Sequence, residues 1–227
     1  DPGFFHHRGI AWAFVRRAAA GALRGERARG ASTITQQLAR NLYLTPERSL
    51  ARKAREALIA RRLEAVLTKS RILELYLNAA EWGDGIWGAE AASRAHFGRG
   101  AAELGLLESV VLASMLPAPR RALRGPNGER ARDAQHNVIH QMVRSGLLHD
   151  DEGRWAWRQV HVLHRQLEAG RPLAAAVRAL EAMPRPPLRT LPPLTVAGLI
   201  ADGCGYARDP GRAPDRAPGA EPPRPAP

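Results

Sequence analysis

The residues best suited to chemistry in this chain are Lys53 and Glu56, an amine and a carboxylate three positions apart. Local signals predict a helix opening at Thr45-Pro46-Glu47. Thr45 can cap the free backbone N–H groups, Pro46 suits the first helical position, and Glu47 complements the positive end of the dipole. At about 100° per residue, Ser49, Lys53, Glu56, Ala60, Leu63 and Leu67 fall on one side of that helix. A stripe that starts ionic and ends apolar places the pair at the mouth of a cleft above a packed base. An ordinary exposed ion pair, worth a few tenths of a kcal/mol, fits the same spacing.

A second candidate is Gly30-Ala31-Ser32-Thr33-Ile34-Thr35-Gln36-Gln37-Leu38-Ala39-Arg40-Asn41, which reads as a helix start. Ile34, Leu38 and Leu42 mark its expected buried stripe, with Thr33, Gln37, Arg40 and Asn41 opposite. Uncharged donors and one cation at a helix N-terminus suit a phosphate, and helix capping accounts equally well for Ser32 and Thr33. The stretch Ile72 to Asn78 is too apolar for a surface helix and is expected in the core. After it, three Gly between Gly83 and Gly88 force a tight, irregular loop, where Trp82 and Trp87 could clamp a sugar or plug the edge of the core. His136 and His140, or His161 and His164, have helical spacings that a metal could use but lack suitably placed carboxylates. Cys204 has no local His partner to activate it.

The elements that must hold these groups are mostly helical. The 227 residues carry 34 Lys plus Arg against 22 Asp plus Glu, a formal net charge of +12, and 44% hydrophobic residues. That composition fits a globular chain with one sizeable core, and the single Cys excludes a disulfide framework and a multi-Cys zinc site. Only Lys53 and Lys69 are Lys, so much of the positive charge reflects a general drift toward Arg. The remaining basic surface would favour a polyanion or an anionic membrane face. Helical patterns run to about residue 148. Two further stretches follow, with Val160, Leu163 and Leu167 on one face and Leu173, Val177 and Leu180 on the next. Beyond Pro184 the chain is Pro-rich and expected to be disordered. The division expected is 1–150 as the main domain, 151–183 as a helical extension and 184–227 as the tail. Between residues 10 and 29, Trp12, Phe14, Val15 and Leu23 are mixed with Arg16, Arg17, Arg24, Arg27 and Arg29, which fits a basic amphipathic helix resting on an anionic membrane and equally a solvated, mobile helix with no membrane role.

Five ordered stretches resemble the family 51 glycosyltransferases, the peptidoglycan polymerases, in their monofunctional transglycosylase branch. They are Asp1-Pro2-Gly3-Phe4-Phe5-His6-His7-Arg8-Gly9; the run from Gly30 to Asn41; Arg48-Ser49-Leu50-Ala51-Arg52-Lys53-Ala54-Arg55-Glu56; the run from Ile72 to Asn78; and Gly83 to Gly88 with Ala91, Ala92 and His96-Phe97-Gly98. The resemblance implies an all-α, lysozyme-like fold with a deep substrate cleft. It implies polymerisation of lipid II into β-1,4-linked glycan, with inversion and release of undecaprenyl diphosphate, on the periplasmic face of a bacterial inner membrane. Cell-wall synthesis proteins are possible partners, and nucleic acid is not expected.

Site roles follow from the same resemblance. Arg40, Arg48 and Lys53 would hold the donor diphosphate, Ser32, Gln36 and Gln37 would bind phosphate and sugar oxygens, and Glu56 would orient cations or substrate and assist the chemistry. No protein metal site is implied, although a divalent cation, Mg or Mn, is an alternative to Arg and Lys for neutralising the diphosphate. The family's proposed general base is the Glu directly ahead of the position matched by Asp1. Arg40 stands where the family usually has Lys. Two rivals are a non-catalytic descendant that binds lipid II and, more distantly, a basic helical nucleic-acid binder.

Overall fold

The computed structural model describes residues 1, 3–12, 15, 16, 20, 21, 24, 25, 32–45, 47, 49–116, 118–120, 123 and 127–184. Phe14, Leu23, Arg17, Arg27 and Arg29 of the basic stretch, Pro46, Arg48, Cys204 and the whole expected tail beyond Pro184 lie outside the described residues. Among those described, the chain is mostly helical, as the sequence predicts.

Helix α1 (Ile34–Tyr43) begins at Thr33, whose hydroxyl accepts from Gln36 N–H while the Gln36 side-chain oxygen accepts from Thr33 N–H. This reciprocal box satisfies two backbone donors that the helix cannot pair internally. Helix α2 (Leu50–Val66) starts later than expected: its cap is Ser49, whose Oγ accepts from Arg52 N–H at 3.0 Å, and Thr45 lies outside it. A Ser three residues ahead of a free amide does the work that the Thr-Pro-Glu signal suggested for Thr45. Helix α3 (Lys69–Ala79) follows directly, capped by Thr68.

The Gly-rich segment is a small antiparallel hairpin, β1 (Glu81–Gly83) with β2 (Ile86–Trp87), where an irregular loop was expected. Strands this short leave no alternation to read from sequence. Its turn needs Gly85 at φ +71°, and Gly88 has φ +91° with Asn78 O only 3.2 Å from where a Cβ would stand. Further helices among the described residues are α4 (Ala89–Phe97), α5 (Leu106–Met115), α6 (Gly128–Arg144), α7 (Asp150–Glu168) and α8 (Leu173–Glu181).

Helix α1 packs on both α2 and α3, and α5 on α6. Helix α7 packs between α6 and α8. Being covered on two sides, α1 buries Thr35, Gln36, Leu38 and Ala39, whereas Leu42 of the expected apolar stripe is exposed. Ile72 and Tyr76 bury α3 as expected. On α7 and α8 the expected faces are the buried ones, with Val160, Leu163, Leu167, Val177 and Leu180 all inside. One apolar cluster runs from Phe4 to Leu180. The Glu181 carboxylate accepts from Leu107 N–H at 2.6 Å, tying α8 to the start of α5.

Candidate functional site

The start of α2 meets the start of α1. Lys53 Nζ donates to Ser32 Oγ at 2.7 Å and also to Glu56 Oε1, while Arg52 Nη1 donates to Glu56 Oε2 at 3.0 Å. The sequence places Lys53 and Glu56 on one face of a helix; the fold adds Ser32 from the neighbouring helix start. Burial divides the roles. The Glu56 side chain is 1% exposed, Arg52 17% and Lys53 43%. A carboxylate so fully withdrawn from water is held by its two cations, and both its oxygens are committed to them. The Lys53 side chain stays partly open to solvent, and the three N–H groups of its ammonium leave one donor beyond Ser32 and Glu56.

Gln37 links this group to the core of α3. Its Nε2 donates to Ser32 O at 3.3 Å, and its Oε1 accepts from Tyr76 O–H at 3.2 Å. Burial raises the Tyr76 phenol above its ordinary value, and the Arg40 charge, one turn beyond Gln37 on α1, acts against that rise. Ser32, Lys53, Glu56 and Gln37 therefore form one hydrogen-bonded chain, with Arg40 beside its Tyr76 end. Gln36 stands apart in role: only 4% exposed, with its amide oxygen on Thr33 N–H, it shapes the helix start on which Ser32 sits. Arg48 lies outside the described residues.

Arg52 and Tyr76 were not singled out from sequence. Arg52 could have been found, since it is four residues from Glu56 on the same helix. The contact of Tyr76 with Gln37 spans 39 residues and has no local signal.

Ahead of α1, Asp1 Oδ2 accepts from Ile34 N–H at 2.8 Å, and His7 Nε2 lies 3.1 Å from both Asp1 carboxylate oxygens. Burial, reinforced by the Lys69 ammonium, lowers the His7 imidazole to about 4, so near neutral pH the ring is uncharged and donates through Nε2 to Asp1. Thr33 Oγ1 donates to Gly9 O at 2.6 Å. The amino-terminal segment thus closes over the same helix start that carries Ser32.

These motif residues match a family model described as Transglycosylase over residues 1–143. The chain belongs to the transglycosylase family. It is 50% identical over 122 residues to the biosynthetic peptidoglycan transglycosylase of Azoarcus sp. (strain BH72), an alignment covering 53% of each chain. It is 52% identical over 128 residues to the protein of that name from Nitrobacter winogradskyi, covering 56% of this chain and 57% of that one. To that of Rhodospirillum centenum it is 50% identical over 121 residues, covering 53% and 52%. The chain spans about half the length of the curated relatives it matches. The whole Lys53 group lies inside the transglycosylase match, and α7 and α8 lie outside it.

Elsewhere, Trp82 is the core plug: 2% exposed, its Nε1–H donates to Leu112 O at 3.0 Å. Trp87 is 54% exposed. One histidine of each pair is engaged with a neighbour. His136 stacks on Trp157 at 4.0 Å, and His164 Nε2 meets Gln135 Oε1 at 3.0 Å. A cavity of about 410 Å3 between α6 and α7, walled by Ile139, Val143, Gly153 and Trp157, contains none of the Lys53 group. Among the described residues no three His, Cys, Asp or Glu side chains are grouped as a metal would need. Nor, among them, is any helix long and apolar enough to cross a membrane.

Proposed function

We propose that this chain carries the glycosyl-transfer centre of an enzyme that polymerises lipid II into β-1,4-linked glycan strands, releasing undecaprenyl diphosphate. The observation that carries the reading is the Ser32–Lys53–Glu56 chain: the ammonium of a half-exposed lysine fixed by a buried carboxylate at a helix start, within a transglycosylase match.

The acceptor 4-hydroxyl attacks the anomeric carbon of the lipid-linked chain. The new O–C bond forms as the bond to the diphosphate oxygen breaks, and that oxygen leaves with the electron pair. Lys53 and Arg40 take up the charge developing on the diphosphate, with Arg48 as a third cation by resemblance, while Ser32 and Gln37 supply neutral hydrogen bonds. Glu56 acts through Lys53 and Arg52 and fixes where their charges sit; with both oxygens engaged it is a positioning group. The proton from the attacking hydroxyl goes to a carboxylate, which the family resemblance places directly ahead of Asp1. Asp1 itself is bound to Ile34 N–H and His7. A divalent cation wants several oxygen ligands, and Glu56, the one carboxylate in the Lys53 group, is already paired with two cations, so the step is derived through the protein's own cations. The substrate's lipid tail would hold the enzyme at the outer face of the inner membrane. Trp12, 62% exposed, and Arg16, also exposed, suit contact with anionic headgroups there.

The test is lipid II polymerisation by the full polypeptide, expressed with whatever its gene encodes ahead of Asp1, beside Glu56→Gln. Polymer from the parent and a rate lower by about 100-fold or more in the variant support the reading. Equal product from both removes Glu56. Lipid II binding by a parent that makes no polymer would favour the non-catalytic descendant.

A further inference from the structure

Lys69 is the other lysine of the chain, and it lies outside the group described above. Its Nζ donates to His7 O at 2.6 Å and to Glu64 Oε1 at 2.6 Å, and sits 4.5 Å from the centroid of the Phe4 ring. Thr35 Oγ1 donates to the same Glu64 oxygen at 2.6 Å. The Lys69 and Glu64 side chains are 16% and 7% exposed, and Thr35 is fully buried. One ammonium thus joins α1 through Thr35 and Glu64, α2 through Glu64, its own α3, and the turn-rich segment at residues 3–9. That segment has no ladder of its own to hold it. Beyond the cation, Phe4 is buried and Gly9 adopts φ +80° with Ala60 O 3.1 Å from a would-be Cβ, so the strand of chain is pressed against α2. The chain of contacts then runs on from the His7 carbonyl to its ring, to the Asp1 carboxylate, and to Ile34 N–H.

We propose that Lys69, with Glu64 and Thr35, is a positioning latch that holds the segment before Gly9 so that its Asp1 end is presented at the start of α1, next to Ser32 and Lys53. The inference rests on the glycosyl-transfer reading for its consequence: a carboxylate carried just ahead of Asp1 inherits its place from this latch. No atom of Lys69 needs to reach substrate, so its loss should lower turnover while leaving substrate affinity nearly intact.

The experiment compares the parent with Lys69→Met, Lys69→Arg and Thr35→Val in the full polypeptide. In lipid II polymerisation, Lys69→Met is expected to lower kcat by at least about 10-fold with KM within about twofold, and Lys69→Arg to recover part of the loss, as misplacement of a reacting group does. Independently of activity, NMR titration of the His7 ring reads the latch. The parent ring is held near 4 first by burial, then by the Lys69 charge and the amino group at Asp1, with Glu64 opposing; Lys69→Met removes only the Lys69 charge and should raise the titration part of the way toward 6.5. Should Lys69→Met fail to fold, Thr35→Val, which removes one hydrogen bond to Glu64, is expected to show the same two changes on a smaller scale. An unchanged His7 titration in folded variants overturns the latch. A moved titration with unchanged kcat overturns its catalytic consequence, as does a rise in KM alone. A parent that makes no polymer sinks the glycosyl-transfer reading, and the titration arm still decides the latch.

Discussion

Lys53 is the residue on which structure and chemistry divide most cleanly. Its side chain is 43% exposed and Arg52 Nη1 also bonds the buried Glu56, so losing Lys53 leaves that carboxylate one cation and costs only about 1 kcal/mol after solvent screening. Its place between Ser32 and the buried Glu56 nevertheless fixes a point charge that a diphosphate can approach. On the proposed function, Lys53→Met is therefore expected to lower the urea midpoint only modestly while lowering the polymerisation rate by about 100-fold or more. Lys53→Arg should retain part of the rate, because a guanidinium fork cannot meet both Ser32 and Glu56 with the compact geometry of an ammonium. A large fall in urea midpoint for Lys53→Met would mean that the lysine is structural. Glu56→Gln should cost more, on the order of 1–3 kcal/mol, because at this 1%-exposed position Arg52 loses a carboxylate oxygen and can be left facing an amide N–H that does not accept. Both residues are legible in the sequence, since three positions on a helix bring them to one face. Ser32 is not legible as their partner except through the motif, and the Lys69 contact with His7 is not legible at all. It joins residues 62 apart through a backbone carbonyl, which leaves no mark on side-chain type.

At the scale of elements, readability tracks how many sides of a helix are covered. Helices α7 and α8 show the stripes expected of them, because each buries one coherent face. Helix α1 does not, because α2 and α3 cover it from two directions and the polar residues Thr35 and Gln36 are bonded inside. The start of α2 was misplaced because two capping signals, Thr45 and Ser49, compete within five residues, and only the backbone path decides between them. That gives a direct test. Ser49→Ala should cost about 0.5–2 kcal/mol in urea denaturation, and Thr45→Ala within about 0.5 kcal/mol of nothing. Equal losses from the two variants would place the helix start further upstream than the Ser49–Arg52 bond does.

Across the whole molecule, two largely withdrawn histidines far apart in the chain, His7 and His164, add to acid sensitivity. His7 is lowered to about 4 by burial and then by Lys69; His164 is lowered to about 4 by burial and then by Arg132, with His136 and His161 adding to it. In the unfolded chain each ring takes a proton as pH falls through about 6.5, whereas in the folded protein it stays neutral until about 4. The unfolded state therefore binds more protons across that interval, and stability is full above about pH 6.5, declines as pH falls toward 4, and stops declining from this cause below it. His164 is the cleaner probe, since it lies outside the transglycosylase match and its Nε2 bonds only to Gln135 among the contacts seen. His164→Gln keeps a side-chain amide donor for Gln135 but removes the titration. Urea midpoints between pH 7 and 4 should fall less steeply in this variant than in the parent, the slope differing by up to one proton's worth. Parallel curves would show that His164 is protonated in the fold well above pH 4, and of the two histidines only His7 would then add to acid sensitivity.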